Sequence, residues 1–259
     1  MRIQVAKNHE EMSRHAAARI AREVRRTPGL LLGAATGATP TRTFERLAEL
    51  RALEPSLFRR VRVVKLDEWM GLPMRHPATC ETYFREKVLR PLGIARSRFQ
   101  GFRSQPKDPG GECARIARWL AAHGPFDLCV LGLGRNGHLL FNEPAAALPP
   151  GPHVALLSAM SRRHSMVRVM AKTPRHGLTL GLADILQSKT ILLLVSGRHK
   201  VRAFGRMLKG GVTTRCPASL LWLHPDVTIY CDGEAARALR PETSNAGKQG
   251  GAVRRNMKE

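Results

Sequence analysis

The sequence predicts a three-layer, Rossmann-like α/β fold, in which helices cover both faces of a mostly parallel sheet. Short apolar runs alternate along the chain with helical patterns, as they do in proteins built from strand–helix–strand units. The apolar runs are continuous rather than alternating with polar residues, which is typical of strands buried on both faces. Several of these runs end in glycine-rich or acidic residues, at the place where such folds bind their ligands.

Six apolar runs are predicted strands, at residues 29–34, 61–66, 126–132, 154–157, 190–195 and 227–231, and the fourth is the weakest. Five segments carry helical patterns, at residues 9–26, 40–50, 80–88, 111–123 and 200–208. We expect a single domain over residues 1–240. Residues 241–259 are polar, basic and without periodicity, which predicts a disordered tail.

The composition excludes several classes of protein. Of the 259 residues, 43% are hydrophobic and 24% are charged, which excludes wholesale disorder. The chain has no apolar run long enough to span a membrane and no apolar signal core near Met1, so we expect a cytoplasmic protein. The five cysteines form no CxxC pair and are predicted to be buried, reduced thiols.

The chain is strongly basic, with 43 lysines and arginines against 20 acidic residues and a net charge of +23. Nucleic-acid binding is one interpretation of this balance. The arginines are nevertheless spread over every segment without a long basic run, and aromatic residues make up only 5% of the chain. We therefore favour a general bias towards arginine over a nucleic-acid partner, and expect the charge to attract small anionic ligands.

The first predicted strand ends in small residues that could hold a phosphate. The turn contains Thr36, Gly37, Ala38 and Thr39, where the backbone can approach a ligand closely. Thr39 is suited to cap a helix whose first residue is Pro40. Free N–H groups at that helix start would attract an anion. An ordinary strand-to-helix turn, capped for stability, remains the alternative.

Two adjacent acids, Asp67 and Glu68, follow the second predicted strand. A carboxylate beside the apolar Leu66 and Trp69 can have a raised pKa, which suits a general base that removes a proton from carbon. The alternative is an acidic turn that caps the next segment.

The third predicted strand leads into a GxGxxG match at residues 132–137. No helical pattern follows it, so we do not expect a nicotinamide cofactor. His138 and Glu143 are more informative, because a carboxylate can fix the tautomer of a nearby imidazole and raise its basicity. A histidine that only hydrogen-bonds the loop backbone is the alternative. No second histidine or cysteine stands at ligand spacing nearby, so no metal is expected.

Together these segments resemble the glucosamine-6-phosphate deaminase/isomerase family, which also includes the 6-phosphogluconolactonases. The phosphate loop of the family resembles residues 36–40, and its Asp-Glu-aromatic element resembles residues 67–69. The most specific stretch, Gly-x-x-Gly-His-x-x-Phe-Asn-Glu-Pro, stands at residues 134–144. Residues 178–181 and 196–200 also match. The resemblance reaches from the start of the chain to about residue 240.

Two features bear on the substrate. Asn136 stands where glucosamine-6-phosphate deaminases usually carry an aspartate, and residues 216–224 are similar to a segment of the galactosamine-6-phosphate deaminase/isomerase branch. The resemblance therefore implies galactosamine 6-phosphate first, with glucosamine 6-phosphate as the alternative. The Asn-Glu-Pro at residues 142–144 disfavours a lactonase. A non-catalytic sugar-phosphate-binding protein is disfavoured by the presence of Asp67, His138 and Glu143.

The resemblance implies a substrate-binding set and no cofactor. The phosphate would bind to the turn Thr36–Thr39, with Lys200 as its cationic partner. Glu68 and Gly137 are further expected substrate-binding residues, and a purely structural role is the alternative for Glu68.

The resemblance also implies catalytic roles. His138 would shuttle a proton between the ring oxygen and the anomeric hydroxyl group, oriented by Glu143. Asn136 would hydrogen-bond the imidazole without supplying charge. Asp67 would carry the proton from C2 to C1, after which water releases ammonia.

Residues 153–176 are basic and loosely periodic. The corresponding region of the family is a lid over the sugar, with His164 as a candidate contact, and an exposed helix is the alternative. Members of the family occur as monomers and as larger assemblies, so a homo-oligomer is possible.

Overall fold

A computed structural model describes residues 1–168, 170, 172–209 and 211–240, so the predicted tail at 241–259 lies outside the described residues. The strands are β1 (Arg2–Ala6), β2 (Leu31–Ala34), β3 (Arg62–Lys65), β4 (Asp67–Trp69), β5 (Phe99–Gln100), β6 (Leu128–Gly132), β7 (His153–Leu156), β8 (His176–Thr179), β9 (Ile191–Val195) and β10 (Val227–Asp232). The α-helices are α1 (His9–Arg26), α2 (Ala38–Leu53), α3 (Cys80–Phe84), α4 (Arg90–Leu92), α5 (Pro109–His123), α6 (Leu182–Leu186) and α7 (Val201–Leu208), and a π-helical turn (Arg85–Leu89) joins α3 to α4.

The central sheet has seven strands in the order β1-β10-β9-β6-β2-β3-β5, and every neighbouring pair is parallel. Alternate residues of one strand pack into different clusters: Leu31 belongs to one hydrophobic core and Leu32 to the other. Helices therefore bury both faces of this sheet, which confirms the predicted three-layer α/β fold.

A second, three-stranded antiparallel sheet has the order β4-β8-β7. The weak strand expected at residues 154–157 belongs to this sheet as β7. Four strands are absent from the sequence-based prediction: β1, β4, β5 and β8. Of these, β5 has two residues, and β1 lies at the sheet edge with four of its five residues exposed, so neither gives a continuous apolar run.

The helices lie close to their predicted positions. Helix α1 covers residues 9–26, as expected, and buries Met12, Ala16 and Ile20 on one face. Its cap is Asn8, whose side chain accepts a hydrogen bond from the N–H of Glu11 at 2.9 Å. Helices α2, α5 and α7 also coincide with predicted helical segments.

The five cysteines are free and buried, as predicted, at positions 80, 113, 129, 216 and 231. Within the described part of the chain, no helix is long and apolar enough to cross a membrane. The same residues include no cluster of three His, Cys, Asp or Glu side chains arranged to hold a metal ion.

Candidate active site

A cavity of about 820 Å³ opens at the carboxyl ends of β9, β6, β2 and β3, which are consecutive in the central sheet. Each of these strand ends contributes residues to its wall. These are the turn Thr36–Thr39 after β2, Asp67 after β3, the segment Gly132–Arg135 with His138 after β6, and Ser196, Gly197, His199 and Lys200 after β9. Parallel strands therefore bring together the residues that the sequence placed at separate strand ends.

The turn after β2 presents the start of α2 to the cavity. Gly37 precedes the first helical residue, with φ of 128°, a backbone conformation that a side chain would strain. The expected cap at Thr39 is wrong, because α2 begins at Ala38 and has no side-chain cap. The N–H groups of the first turn are thus left without a capping side chain, which suits an anionic ligand.

Asp67 lies in the cavity wall and is only 5% exposed. Burial, with a smaller contribution from the negative charge of Glu68, raises the pKa of this carboxyl group to about 7, against the opposing effect of the Lys65 charge. The thiol of Cys80 lies 4.0 Å from Oδ1. A carboxyl group with a pKa near neutrality can both accept and return a proton, as a general acid–base catalyst requires.

Glu68 does not line the cavity and is fully buried. Its carboxylate accepts hydrogen bonds from the backbone N–H groups of Trp69, Cys80 and Glu81, at 2.9, 2.9 and 2.8 Å. It also pairs with the buried ammonium group of Lys65 at 2.5 Å. Glu68 therefore has the structural role that was the alternative, and not the expected role in substrate binding. Its hydrogen bonds connect β4 to the start of α3 and so fix the strand that carries Asp67.

His138 and Glu143 form a hydrogen-bonded pair, with His138 Nδ1 3.3 Å from Glu143 Oε2. The expected hydrogen bond from Asn136 to the imidazole is wrong. Asn136 instead donates from Nδ2 to Oε2 of Glu143 at 2.8 Å and accepts the backbone N–H of His138 on Oδ1 at 3.1 Å. Asn136 thus holds Glu143 and the backbone of His138 in place, and it does not line the cavity.

The carboxylate of Glu143 is held by donors on both oxygens. Oε1 accepts hydrogen bonds from the Ser161 hydroxyl group and from the backbone N–H of Ser158. Burial raises the pKa of Glu143, but the hydrogen bonds from His138, Ser161 and Asn136 and the histidine charge outweigh it and bring the pKa to about 2. Because an ionised carboxylate only accepts, the proton of a neutral imidazole is placed on Nδ1 and leaves Nε2 to exchange protons.

The loop after β6 is shaped around the imidazole. A Cβ atom on Gly134 would lie 2.2 Å from Cδ2 of His138, so only glycine leaves room for the ring.

Gly137 does not line the cavity, contrary to expectation, and its carbonyl accepts the N–H of Ala218 at 2.9 Å. No helix begins in residues 133–152, so the GxGxxG match lacks the helix of a dinucleotide site, as predicted.

The cavity wall is strongly cationic. Lys200, expected from the sequence, is joined by Arg135, Arg163 and Arg168, and within the described part of the chain Asp67 is the one acidic residue of the wall. Burial, with a smaller contribution from the nearby Arg135, lowers the pKa of Lys200 to about 8. Such a wall favours a dianionic ligand such as a phosphate monoester.

Several wall residues are missing from the sequence-based site: Arg135, Ser161, Arg163, Arg168, His9 and His199. Arg135 stands inside the glycine-rich loop and His199 inside the matched stretch 196–200, so both had a local signal. Ser161, Arg163 and Arg168 lie in the region 153–176, where the sequence singled out only His164, and His9 lies in a helical pattern that points to no chemistry.

Most residues of the segment 159–168, called the covering segment below, line the cavity, and His164 is among them. The exposed-helix alternative for residues 153–176 is wrong, because this region forms β7, a short 3₁₀ turn at Ser161–Arg163 and β8. The His164 ring lies 5.8 Å from the Trp69 ring, and burial, followed by the charges of Lys200 and His138, lowers the pKa of His164 to about 4. His164 therefore contributes a neutral ring.

The chain is similar in sequence to known proteins. Residues 6–230 match the family model described as glucosamine-6-phosphate isomerases/6-phosphogluconolactonase. The Escherichia coli (strain K12) protein AgaI, named provisionally as a deaminase, is 39% identical over 86% of this chain and 88% of its own. Glucosamine-6-phosphate deaminase 1 of Bacillus subtilis (strain 168) is 35% identical over 93% of this chain and its own full length.

The chain is also similar to solved structures. A monomeric glucosamine-6-phosphate deaminase superposes with a TM-score of 0.88 and 34% identity, over 92% of this chain and all of that one. The 6-phosphogluconolactonase of Trypanosoma brucei, at 22% identity, covers 92% of this chain and 98% of its own with a TM-score of 0.72, and shares the fold. The chain therefore belongs to the glucosamine-6-phosphate isomerase/6-phosphogluconolactonase family.

Proposed function

We propose that the protein is an amino-sugar-phosphate deaminase that converts galactosamine 6-phosphate to tagatose 6-phosphate and ammonia. The observation that carries the proposal is that Asp67, His138, the turn Thr36–Thr39 and Lys200 all line one cavity, with His138 hydrogen-bonded to Glu143. The general-base carboxyl group, the oriented imidazole and the anion-binding turn are the three parts that this reaction needs.

The phosphate group binds first in this proposal. Its oxygens accept hydrogen bonds from the N–H groups at the start of α2, in the turn Thr36–Thr39, and are paired with Lys200. Arg135, in the loop after β6, adds a second cation beside Lys200, in the turn after β9, because β6 and β9 are hydrogen-bonded neighbours. Binding energy from this remote group then orients C1 and C2 of the sugar.

Ring opening falls to His138. Its Nε2 takes the proton of the anomeric hydroxyl group and returns one to the ring oxygen, which breaks the C1–O5 bond and leaves the aldehyde. Glu143 stabilises the imidazolium formed between these two transfers, because its carboxylate accepts the hydrogen bond from Nδ1.

Asp67 carries out the isomerisation. Its carboxylate removes the C2 proton, the carbonyl oxygen of C1 gains a proton, and the ammonium group loses one, which gives an enolamine. Asp67 returns its proton to C1, which gives an iminium ion at C2. Water adds to C2 and the C–N bond then breaks, which gives the ketone, ammonia and one proton. These steps are proton transfers and the hydrolysis of one C=N bond, and none of them is an oxidation or a reduction.

Two observations support the galacto substrate. Residues 216–224 are similar to a segment of the galactosamine-6-phosphate branch, and Asn136 stands where glucosamine-6-phosphate deaminases usually carry an aspartate. Glucosamine 6-phosphate, which would give fructose 6-phosphate, is the second candidate, because the Bacillus subtilis relative and the superposed monomeric enzyme both carry that name.

One assay separates the candidates. Ammonia release is measured from galactosamine 6-phosphate, glucosamine 6-phosphate and a buffer blank, with hydrolysis of 6-phosphogluconolactone in a parallel arm. A higher kcat/KM for galactosamine 6-phosphate supports the proposal, and a higher value for glucosamine 6-phosphate selects the second candidate. Lactone hydrolysis without ammonia release overturns the deaminase assignment, and binding of the sugar phosphates without turnover indicates a non-catalytic protein.

A further inference from the structure

The hydroxyl group of Ser161 contacts both members of the His138–Glu143 pair. Ser161 Oγ donates to Oε1 of Glu143 and lies 3.5 Å from Nδ1 of His138. The side chain is buried, with 5% of the residue exposed, and it lines the cavity. It belongs to the short turn Ser161–Arg163 in the covering segment, far in sequence from the loop that carries His138.

We propose that Ser161 is a positioning residue that locks the carboxylate of Glu143 in the orientation required by His138, and that the covering segment thereby controls the proton shuttle. The catalytic half of this inference rests on the proposed deaminase function. The structural half, which concerns the orientation of Glu143 and the tautomer of His138, stands independently of any substrate.

The bonding around Glu143 explains why the hydroxyl group matters. Oε2 already accepts Asn136 Nδ2 at 2.8 Å and faces His138 Nδ1 at 3.3 Å. Without Ser161, Oε1 would keep only the N–H of Ser158, which is 3.3 Å away. The carboxylate could then rotate about its last side-chain bond, and the long contact with His138 would be the first to be lost.

The position of Ser161 also links substrate binding to the shuttle. Ser158 and Ser161 are joined by hydrogen bonds from Ser161 N to Ser158 Oγ at 3.1 Å and between the two hydroxyl groups at 3.3 Å. Arg163 and His164 follow directly and line the cavity. A ligand that draws Arg163 inward therefore acts on the same turn that holds Glu143.

The first test needs no activity. The protein is labelled with ¹⁵N-histidine, and NMR reports the tautomer of His138 and its Nδ1–H proton in the wild type, Ser161→Ala and Ser161→Thr. We expect the hydrogen-bonded Nδ1–H form in the wild type and in Ser161→Thr, and a mixture of tautomers in Ser161→Ala. An unchanged Nδ1–H signal in Ser161→Ala would overturn the inference.

The second test uses ammonia release. Ser161→Ala should lower kcat at least tenfold with KM within about twofold, and Ser161→Thr should restore most of it. Ser188→Ala is the matched control, because Ser188 is buried to a similar extent and donates to the carbonyl of Ile185 at 2.6 Å, away from the cavity. A raised KM with unchanged kcat would contradict the positioning role. Absence of ammonia release in the wild type would refute the proposed function while the NMR result still decides the role of Ser161.

Discussion

Asn136 donates a 2.8 Å hydrogen bond to the same Glu143 oxygen that faces the imidazole of His138. The amide therefore acts on the histidine through the carboxylate, and its second contact is with the backbone N–H of His138. Asn136 and Glu143 together hold His138 in place, and only Glu143 of the two carries a charge.

Asn136→Asp should shift the acidic limb of the pH–rate profile to higher pH. The variant places a second carboxylate beside Glu143 where the wild type has an amide that donates a hydrogen bond. The added negative charge raises the pKa of Asp67 and of the His138–Glu143 pair. The measurement is kcat/KM from pH 4 to pH 9. Asn136→Ala, which removes the hydrogen bond without adding charge, is the control. An acidic limb at the wild-type position in Asn136→Asp would contradict this account.

Lys200→Arg should abolish an alkaline rise in KM. The pKa of Lys200 is lowered to about 8 by burial and by Arg135, so the wild type loses this positive charge as the pH rises through 8. An arginine stays charged throughout this range. We expect the wild-type KM to rise between pH 7 and pH 9.5, the Lys200→Arg KM to stay flat, and the Lys200→Gln KM to be high at every pH. Parallel wild-type and Lys200→Arg curves would remove Lys200 from phosphate binding.

Gly134→Ala should inactivate the protein without unfolding it. The added methyl group would lie 2.2 Å from Cδ2 of His138 and would displace the ring from Glu143. We expect kcat to fall by about 10² or more, since a positioned acid–base group contributes roughly 10²–10⁴. Gly29→Ala is the matched control, because a methyl group there meets nothing within 4 Å. Equal activity of the two variants would show that the ring position is not critical.

Asp67→Asn should stabilise the protein at alkaline pH and not at acid pH. The folded-state pKa of about 7 lies above the ordinary value of 3.8, so the native state is penalised for holding this charge as the pH rises between them. The gain in free energy of unfolding is on the order of 4 kcal/mol at most above pH 7. It should vanish below about pH 4, where both states hold the proton. Calorimetry at pH 8 and pH 4 measures it, and equal melting-temperature shifts at both values would contradict the burial argument.

The five inner strands of the central sheet were predictable because they are buried on both faces. The predicted strands at 126–132 and 190–195 contain the unbroken apolar runs 128–132 and 191–195, which form β6 and β9, next to each other in the sheet. Strands without such a run escaped prediction. The exposed edge strand β1 and the two-residue β5 owe their structure to their neighbours rather than to their own composition.

The site was predictable where a single strand end carries the chemistry, as at Asp67 and His138. Glu68 shows the limit of that reasoning. Asp67 and Glu68 belong to a strand, β4, in which successive side chains point to opposite faces. One carboxyl group therefore reaches the cavity and the other the buried Lys65, a distinction that adjacency in sequence does not reveal.

Ser161 and Arg163 show a second limit. Their residue types are ordinary for a surface loop, and their importance comes from contacts with Glu143 and with the cavity, which are set by tertiary structure. Only the packing of the covering segment over the loop after β6 brings these groups together.

The most direct test of the central claim compares the wild type with Asp67→Asn in ammonia release and in binding of a non-reactive sugar phosphate. Asp184→Asn is the matched control, because burial also raises the pKa of Asp184, to about 6, while its carboxylate caps α6 at Gly181 outside the cavity wall. The account predicts that Asp67→Asn loses at least 10²-fold in kcat and binds the sugar phosphate as the wild type does, whereas Asp184→Asn keeps its activity. Substantial turnover by Asp67→Asn, or loss of sugar-phosphate binding in its place, would contradict the assignment of Asp67 as the proton carrier.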